Sequence, residues 1–174
     1  ARILKEIGTI RQLAFTSVQE LTSIKGIGEA KAVQILAGIE LGRRVAHKQA
    51  ERSSIRSPED AAEYLLARIG LKQQEVLYTL YLNTKNQVIH EKTIFIGSLN
   101  ASIVHPREVF KEAIKVSAAS IIVAHNHPSG DPTPSREDIE VTKRLVSAGE
   151  VLGIDCLDHL IIGDGKFLSL KEKG

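Results

Sequence analysis

The sequence predicts two parts. Residues 1–46 form a small all-α segment, residues 57–174 an α/β or α+β domain, and residues 47–56 the linker between them. Three observations carry this reading. Apolar residues recur at helical spacing through the first part, in stretches punctuated by Gly8 and by Gly26 and Gly28. From His47 to Ser57 the chain is polar and without period, as linkers are. Beyond Ser57, short β-branched and apolar runs mix with helical patterns, as they do in domains that pack helices on a sheet.

In the first part, Ile3, Leu4, Ile7, Ile10 and Leu13 mark residues 2–14 as helical with a break at Gly8. Ser17 to Ser23 reads as a helix, with Ser17 as N-cap and Glu20 three residues on. After Lys25-Gly26-Ile27-Gly28 a longer helix runs from about Glu29 to Val45, with Ala32, Ile35, Leu36 and Ile39 on one stripe. Helix, G-h-G, helix is the pattern of a helix-hairpin-helix. Two glycines let a backbone approach a ligand closely, and the next helix start offers free N–H groups and a positive dipole end to a phosphate. Lys25 and Lys31 add charge beside Gly26 and Gly28. The module resembles those that hold DNA by its backbone without reading bases. The plain alternative is a helical hairpin with no ligand.

In the second part, Ser57-Pro58 opens a helix with Ala61, Ala62, Leu65, Leu66 and Ile69 inward, ended by Gly70. Val76–Asn83 and Val88–Phe95 form a hairpin around Thr84-Lys85-Asn86-Gln87. Pro106–Ser117 is a helix facing inward through Val109, Phe110, Ala113 and Ile114. Ser120–His125 is a buried strand, and Arg136–Ala148 a helix stopped at Gly149. Val151–Leu157 and Leu160–Ile162 are strands, and Phe167-Leu168-Ser169-Leu170 closes the domain.

Composition narrows the classes. A 43% hydrophobic, 25% charged chain of 174 residues suits a water-soluble domain plus a smaller one. No apolar run reaches membrane-spanning length, and charged residues throughout the first fifteen argue against a signal peptide. The initial Ala suggests a fragment or processed chain. One cysteine, Cys156, excludes an internal disulfide and a cysteine-rich zinc knuckle, and makes a cytoplasmic location the expectation. Residues 1–52 hold nine Lys/Arg against five Asp/Glu, a net of +4, and residues 53–174 fourteen against sixteen, a net of −2. That asymmetry assigns any nucleic-acid contact to the first part.

The most chemical stretch is His125-Asn126-His127-Pro128-Ser129-Gly130-Asp131-Pro132-Thr133-Pro134-Ser135-Arg136-Glu137-Asp138. In a strand, residues i and i+2 share a face, so His125 and His127 present two imidazoles together. A loop stiffened by Pro132 and Pro134 returns the chain to Asp138. Two His and one carboxylate suit one zinc ion that keeps a fourth position for water. Against this stands a local reading: Ser135-x-x-Asp138 is also a capping-box-like helix start.

The spacing H-x-H, seven residues, Ser, two residues, Asp resembles the JAMM motif of MPN-domain metalloproteases. The string HNHPSGDPTPSRED is similar to the bacterial RadC branch of that superfamily. So are Leu82-Asn83-Thr84-Lys85-Asn86, Gly97-Ser98-Leu99-Asn100, His105-Pro106-Arg107-Glu108 and Asp158-His159-Leu160-Ile161-Ile162-Gly163-Asp164-Gly165. The resemblance implies a mixed sheet flanked by helices, with the metal at one sheet end. It implies metal ligands at His125, His127 and Asp138, and Ser135 as a donor to an oxyanion. It also implies an upstream Glu that moves protons, matched by Glu75 with Glu91, Glu108 and Glu112 as competitors. His105 reads as structural and His159 as a core-edge histidine.

The expected function is therefore a zinc-dependent hydrolase of peptide or isopeptide bonds, directed to DNA by the hairpin. Zinc would bring its water towards pKa ~7 and polarise a carbonyl. A non-enzymatic DNA-repair-associated module with a structural or vestigial metal site is the alternative. A metal-dependent nuclease is a weaker one, and a zinc deaminase lacks its second cysteine. The expected partners are DNA and a protein or peptide substrate, with no membrane.

Overall fold

The protein is described by a computed structural model covering residues 2–50, 54–97 and 104–173. Residues 51–53 of the expected linker and Ser98-Leu99-Asn100 of the family-like segments lie outside the described residues. The chain divides into two compact units, Ala1–Gln49 and Ala50–Gly174.

The first unit is helical: α1 (Arg2–Ile7), α2 (Ile10–Phe15), α3 (Val18–Thr22) and α4 (Glu29–Ala50). Thr9 and Ser17 each cap the following helix with a reciprocal box, through Gln12 and Glu20. Leu21, Ile24 and Ala32 make its small core, with Ile3, Ile7 and Leu13 packed around them. The helix α4 continues to Ala50, past Val45 and into the segment read as linker.

The second unit begins with α5 (Pro58–Ile69), capped by Ser57 with Pro58 in its first turn. A five-stranded mixed sheet follows: β1 (Val76–Leu82), β2 (Val88–Ile96), β3 (Ser120–Asn126), β4 (Asp155–Ile162) and β5 (Phe167–Ser169). With them come α6 (Pro106–Lys115), α7 (Arg136–Leu152) and α8 (Leu170–Lys173). The order across the sheet is β2-β1-β3-β4-β5. Only β3 and β4 run parallel, joined through α7.

The sheet is covered on both faces, which is why its central strands are apolar on both sides. Leu80, Leu82, Ile122 and Leu160 pack with Ala62, Leu65 and Ile69 of α5. Leu77, Tyr81, Ile121 and Val123 pack with Val109 and Phe110 of α6 and Val141 and Leu145 of α7. All seven residues of β3 are buried. In α6, Ile114 does not face inward as expected but is 59% exposed, its place in the core being taken by Phe110 and Ala113.

Two boundaries differ from the sequence reading, for one physical reason. The helix α7 does not stop at Gly149. It runs to Leu152 and ends on Gly153 in the left-handed conformation. Gly149 is instead buried where the helix crosses the start of β4. A Cβ there would overlap the Ile154 carbonyl oxygen and press on Phe110 at 3.3 Å. Val151 and Leu152 are therefore helical and exposed rather than strand residues. The two short strands expected on either side of Asp158-His159 are one strand, β4, with an irregularity in its pairing to β3 between Ile121 and Ile122. Two adjacent polar residues look like a break in sequence, but both are buried and bonded here. Cys156 is half-buried, and burial first, then Asp158, pushes its thiol up to about 12.

The role of Gly149 has a signed test. A glycine serving only as a poor helix residue is improved by Ala by about 0.8–1 kcal/mol. A glycine serving close packing is worsened, so Gly149→Ala is expected to destabilise by about 1–3 kcal/mol in urea unfolding.

Candidate metal centre

The site lies at the carboxyl end of β3, where open α/β sheets generally receive ligands. His125 is in β3, and His127 is one residue beyond its end. Register places His125 beside Leu77 of β1 and Ile161 of β4, on the face that packs α6 and α7. His127 is tied down by its own N–H, which donates to the Ile162 carbonyl at 2.8 Å. The loop back to α7 is pinned in the same way. The Asp164 N–H donates to the Gly130 carbonyl at 3.0 Å, and Gly163 packs so closely on that carbonyl that a Cβ would overlap it.

Ser135 caps α7 and Asp138 completes the box. The Ser135 Oγ accepts from the Asp138 N–H at 3.1 Å, and the Asp138 Oδ2 accepts from the Ser135 N–H at 2.7 Å. The capping and metal readings of Ser135-x-x-Asp138 are thus compatible. While Oδ2 takes the cap, Oδ1 faces His125 Nε2 at 3.2 Å. His127 Nε2 stands 2.9 Å from His125 Nε2 and 3.7 Å from Asp138 Oδ2. One ligand atom from each residue lies within 4.8 Å of the others, and among the described residues these three form the cluster able to hold a metal ion.

The donor set fits a small divalent ion. A tetrahedral ion with bonds of about 2.0–2.1 Å has ligand–ligand edges of about 3.3 Å, and His125 Nε2 lies near that length from both His127 Nε2, at 2.9 Å, and Asp138 Oδ1, at 3.2 Å, while His127 Nε2 is 3.7 Å from the other carboxylate oxygen, Oδ2. His127 Nδ1 lies 2.7 Å from the Asp131 carbonyl oxygen, which can only accept, so Nδ1 carries the hydrogen and Nε2 a lone pair. Burial raises the Asp138 carboxyl, and the hydrogen bonds it makes with Ser135 oppose that.

Behind His125 lies His159, fully buried, its Nε2 2.8 Å from His125 Nδ1. Burial holds it well below the ordinary imidazole range. Its other nitrogen is 2.5 Å from Thr142 Oγ1. The sequence reading of His159 as a core-edge residue missed this contact, and it missed Thr142 and Asn126 altogether. The buried Asn126 amide accepts from the Val76 N–H at 2.9 Å and donates to the Lys72 and Gln74 carbonyls, both at 3.1 Å. It holds the approach to β1, which carries Glu75.

Glu75 immediately precedes β1, and its carbonyl accepts from the Gly97 N–H at 2.8 Å. The pairing of β1 with β3 begins at Leu77 opposite His125, so Glu75, two residues before Leu77, lies at the same end of the sheet as His127. The competing acids are engaged elsewhere. Glu91 binds Tyr64 and Arg68 of α5, Glu112 binds Lys92, and Glu108 pairs with Arg107. The Asp131 carboxylate is turned to Thr133. In the first unit, Lys25 and the Gly26 and Gly28 positions are exposed, and Lys31 Nζ donates to the Gly26 carbonyl at 3.3 Å.

A mixed sheet that sets two histidines at the end of its central strand against a carboxylate on the next helix defines a domain built around a candidate metal centre. The chain belongs to the RadC-like JAB domain family, whose model matches residues 55–174. Similar relatives are UPF0758 proteins of Geobacillus sp. strain WCH70, 67% identical, Geobacillus kaustophilus strain HTA426, 64%, and Bacillus cereus strain G9842, 62%. Each alignment covers 99% of this chain and 77% of the relative. Among the described residues, no helix is long and apolar enough to cross a membrane.

Asn126→Ala leaves the Val76 N–H without its acceptor. Loss of a buried pairing costs about 1–3 kcal/mol. The cost is expected as a lowered urea midpoint and as hydrogen exchange at Val76 faster by at least about tenfold, with the far strand β5 unchanged.

Proposed function

We propose that the second unit is a single-zinc hydrolase of peptide or isopeptide bonds. One observation carries the reading: two imidazole nitrogens and a carboxylate oxygen converge, while the opposite side of each group is already committed to the protein. Ions of borderline softness suit two imidazoles and one carboxylate, and a three-ligand set leaves a position for chemistry. The zinc, when bound, supplies Lewis acidity and a water acidified towards neutral pH.

The remaining work falls to the chain. Glu75 would take a proton from the attacking water and deliver it to the departing amine. Ser135 uses its oxygen as the acceptor in the cap, which leaves its O–H to donate to a carbonyl oxygen as that oxygen gains charge. His127 is partly exposed, so the centre opens to solvent on that side. Cleavage of phosphodiesters often uses two metals bridged by extra carboxylates. Asp131 is occupied with Thr133 and Glu137 is exposed, which favours the amide substrate.

The test is cleavage of peptide and isopeptide-linked substrates by zinc-loaded protein. Activity is expected to vanish with a chelator and to fall by about 10²–10⁴ in Glu75→Gln, with zinc still bound. Bound zinc without cleavage of any such substrate would favour the non-enzymatic module. Metal-dependent DNA cleavage lost in His127→Ala would favour the nuclease.

The same proposal gives the first unit the task of holding DNA through its phosphates, as a helix-hairpin-helix. In support, a Cβ at Gly26 or Gly28 would meet nothing within 4 Å, so the space before the turn is open. Lys25 and Lys31 supply charge beside it. Binding is expected to be independent of sequence and to fall steeply with salt. Gly28→Val should weaken it, and equal binding by residues 53–174 alone would refute the assignment. A single cysteine fits a cytosolic site of action.

A further inference from the structure

We infer that His159, together with Thr142, is a positioning residue that fixes His125 in the form a metal requires. The inference rests on the reading of His125, His127 and Asp138 as metal ligands. It deepens that reading by naming what holds the first ligand from behind.

The Asp138 main-chain carbonyl can only accept, and Thr142 Oγ1 lies 2.6 Å from it. The one hydroxyl hydrogen of Thr142 is therefore spent on Asp138. Facing His159 Nδ1 at 2.5 Å, Thr142 must accept, so His159 carries its hydrogen on Nδ1. His159 is 1% exposed and its two ring nitrogens face His125 and Thr142 rather than a carboxylate, a place that suits the neutral imidazole with its one N–H, which leaves Nε2 as an acceptor. His125 Nδ1, 2.8 Å away, must then donate, and His125 Nε2 is left with a bare lone pair directed at His127 and Asp138. The chain of bonds begins at one ligand, Asp138, and ends at another, His125. Outer partners of this kind orient ligating histidines and set which nitrogen binds.

The backbone is shaped to deliver His159 to this place. Ile121 pairs with Cys156, but Ile122 pairs with Asp158, so Leu157 is an extra residue in β4. Such a bulge re-aims the side chains after it. Strict alternation from Cys156, which packs towards α7, would turn His159 to the α5 face. The bulge turns it to the α7 face, level with Val123. Asp158 holds the bulge closed. Its Oδ1 accepts from the N–H groups of His159 at 2.7 Å and Lys171 at 3.2 Å, and its Oδ2 from the Ser169 hydroxyl at 2.7 Å. A bulge held by three hydrogen bonds, turning a buried imidazole onto a metal ligand, is more than packing requires. Val or Leu in a regular strand would fill the same space.

The test compares wild type with His159→Phe, His159→Gln and Thr142→Val, all checked for folding by thermal melting. Two quantities are read: zinc affinity by competition with a chromophoric chelator, and the His125 tautomer by long-range proton–nitrogen NMR of metal-free protein. The wild type should show His125 with its hydrogen on Nδ1. His159→Phe should lose zinc affinity by about 10–100-fold and Thr142→Val by a smaller factor, each with a mixed His125 tautomer. Gln offers one acceptor and one donor, so His159→Gln should recover affinity to within about threefold of wild type. Should His159→Phe fail to fold, Thr142→Val and His159→Gln decide the matter. Wild-type affinity and an unchanged tautomer in Thr142→Val and His159→Phe would overturn the inference. So would equal impairment in Phe and Gln, which would mean that only bulk matters. If wild type binds no zinc, the metal reading fails by itself, and the tautomer in metal-free Thr142→Val still confirms or refutes the relay.

Discussion

Three acceptor groups aimed at one point are the constraint on which the second unit depends. A ring nitrogen of His125, one of His127 and an oxygen of Asp138 lie within 4.8 Å of one another, a grouping that could hold one metal ion. Unpaired, such an arrangement is repulsive, because lone pairs and a carboxylate brought together out of water lose hydration and gain nothing. A bound cation removes the repulsion, and the rest of the local structure keeps the three groups from relaxing apart. Each is held from behind: His125 by His159, His127 by the Asp131 carbonyl, and Asp138 by the cap of its own helix.

The sheet architecture explains why these devices sit where they do. The central strand β3 is buried along its length and paired on both edges, so the strand end that carries His125 and His127 is firmly held. The carboxylate of the cluster, Asp138, comes from the connection that leaves β3. That connection is a short loop and the first turn of α7, the helix that crosses to the parallel neighbour β4. Glu75 reaches the same end of the sheet because β1 is antiparallel to β3 and starts where β3 finishes. One topological fact, the order β1-β3-β4, thus brings Val76 against Asn126, 50 positions apart, and His159 against His125, 34 positions apart.

Much of this was legible in the sequence, and the limits are physical. The histidine pair, the returning Asp138 and the helix start at Ser135 could be read because strand and helix periods fix directions locally. The element boundaries failed at Gly149 and at Asp158-His159, where tertiary contact overrides local pattern. A buried glycine that lets a strand approach a helix looks like a helix stop. A bulge carrying two buried polar residues looks like a gap between strands. His159 and Thr142 are invisible to spacing, because seventeen residues and a helix separate them. The available signal was a pair of polar residues interrupting an apolar strand, which a core accepts only when both are bonded. Asn126 was passed over for the opposite reason: its side chain serves the backbone of a distant segment and bears no reactive role.

The central claim is that the convergence of His125, His127 and Asp138 is a zinc site. Its most direct test is X-ray absorption at the zinc edge on protein loaded to saturation and freed of excess metal. The account predicts one zinc per chain, with two imidazole nitrogens and oxygen ligands at about 2.0–2.1 Å, and loss of the imidazole scattering when His125 and His127 are both replaced by Ala. Saturable zinc with the same scattering in the double variant, or no retained metal in the wild type, would contradict it.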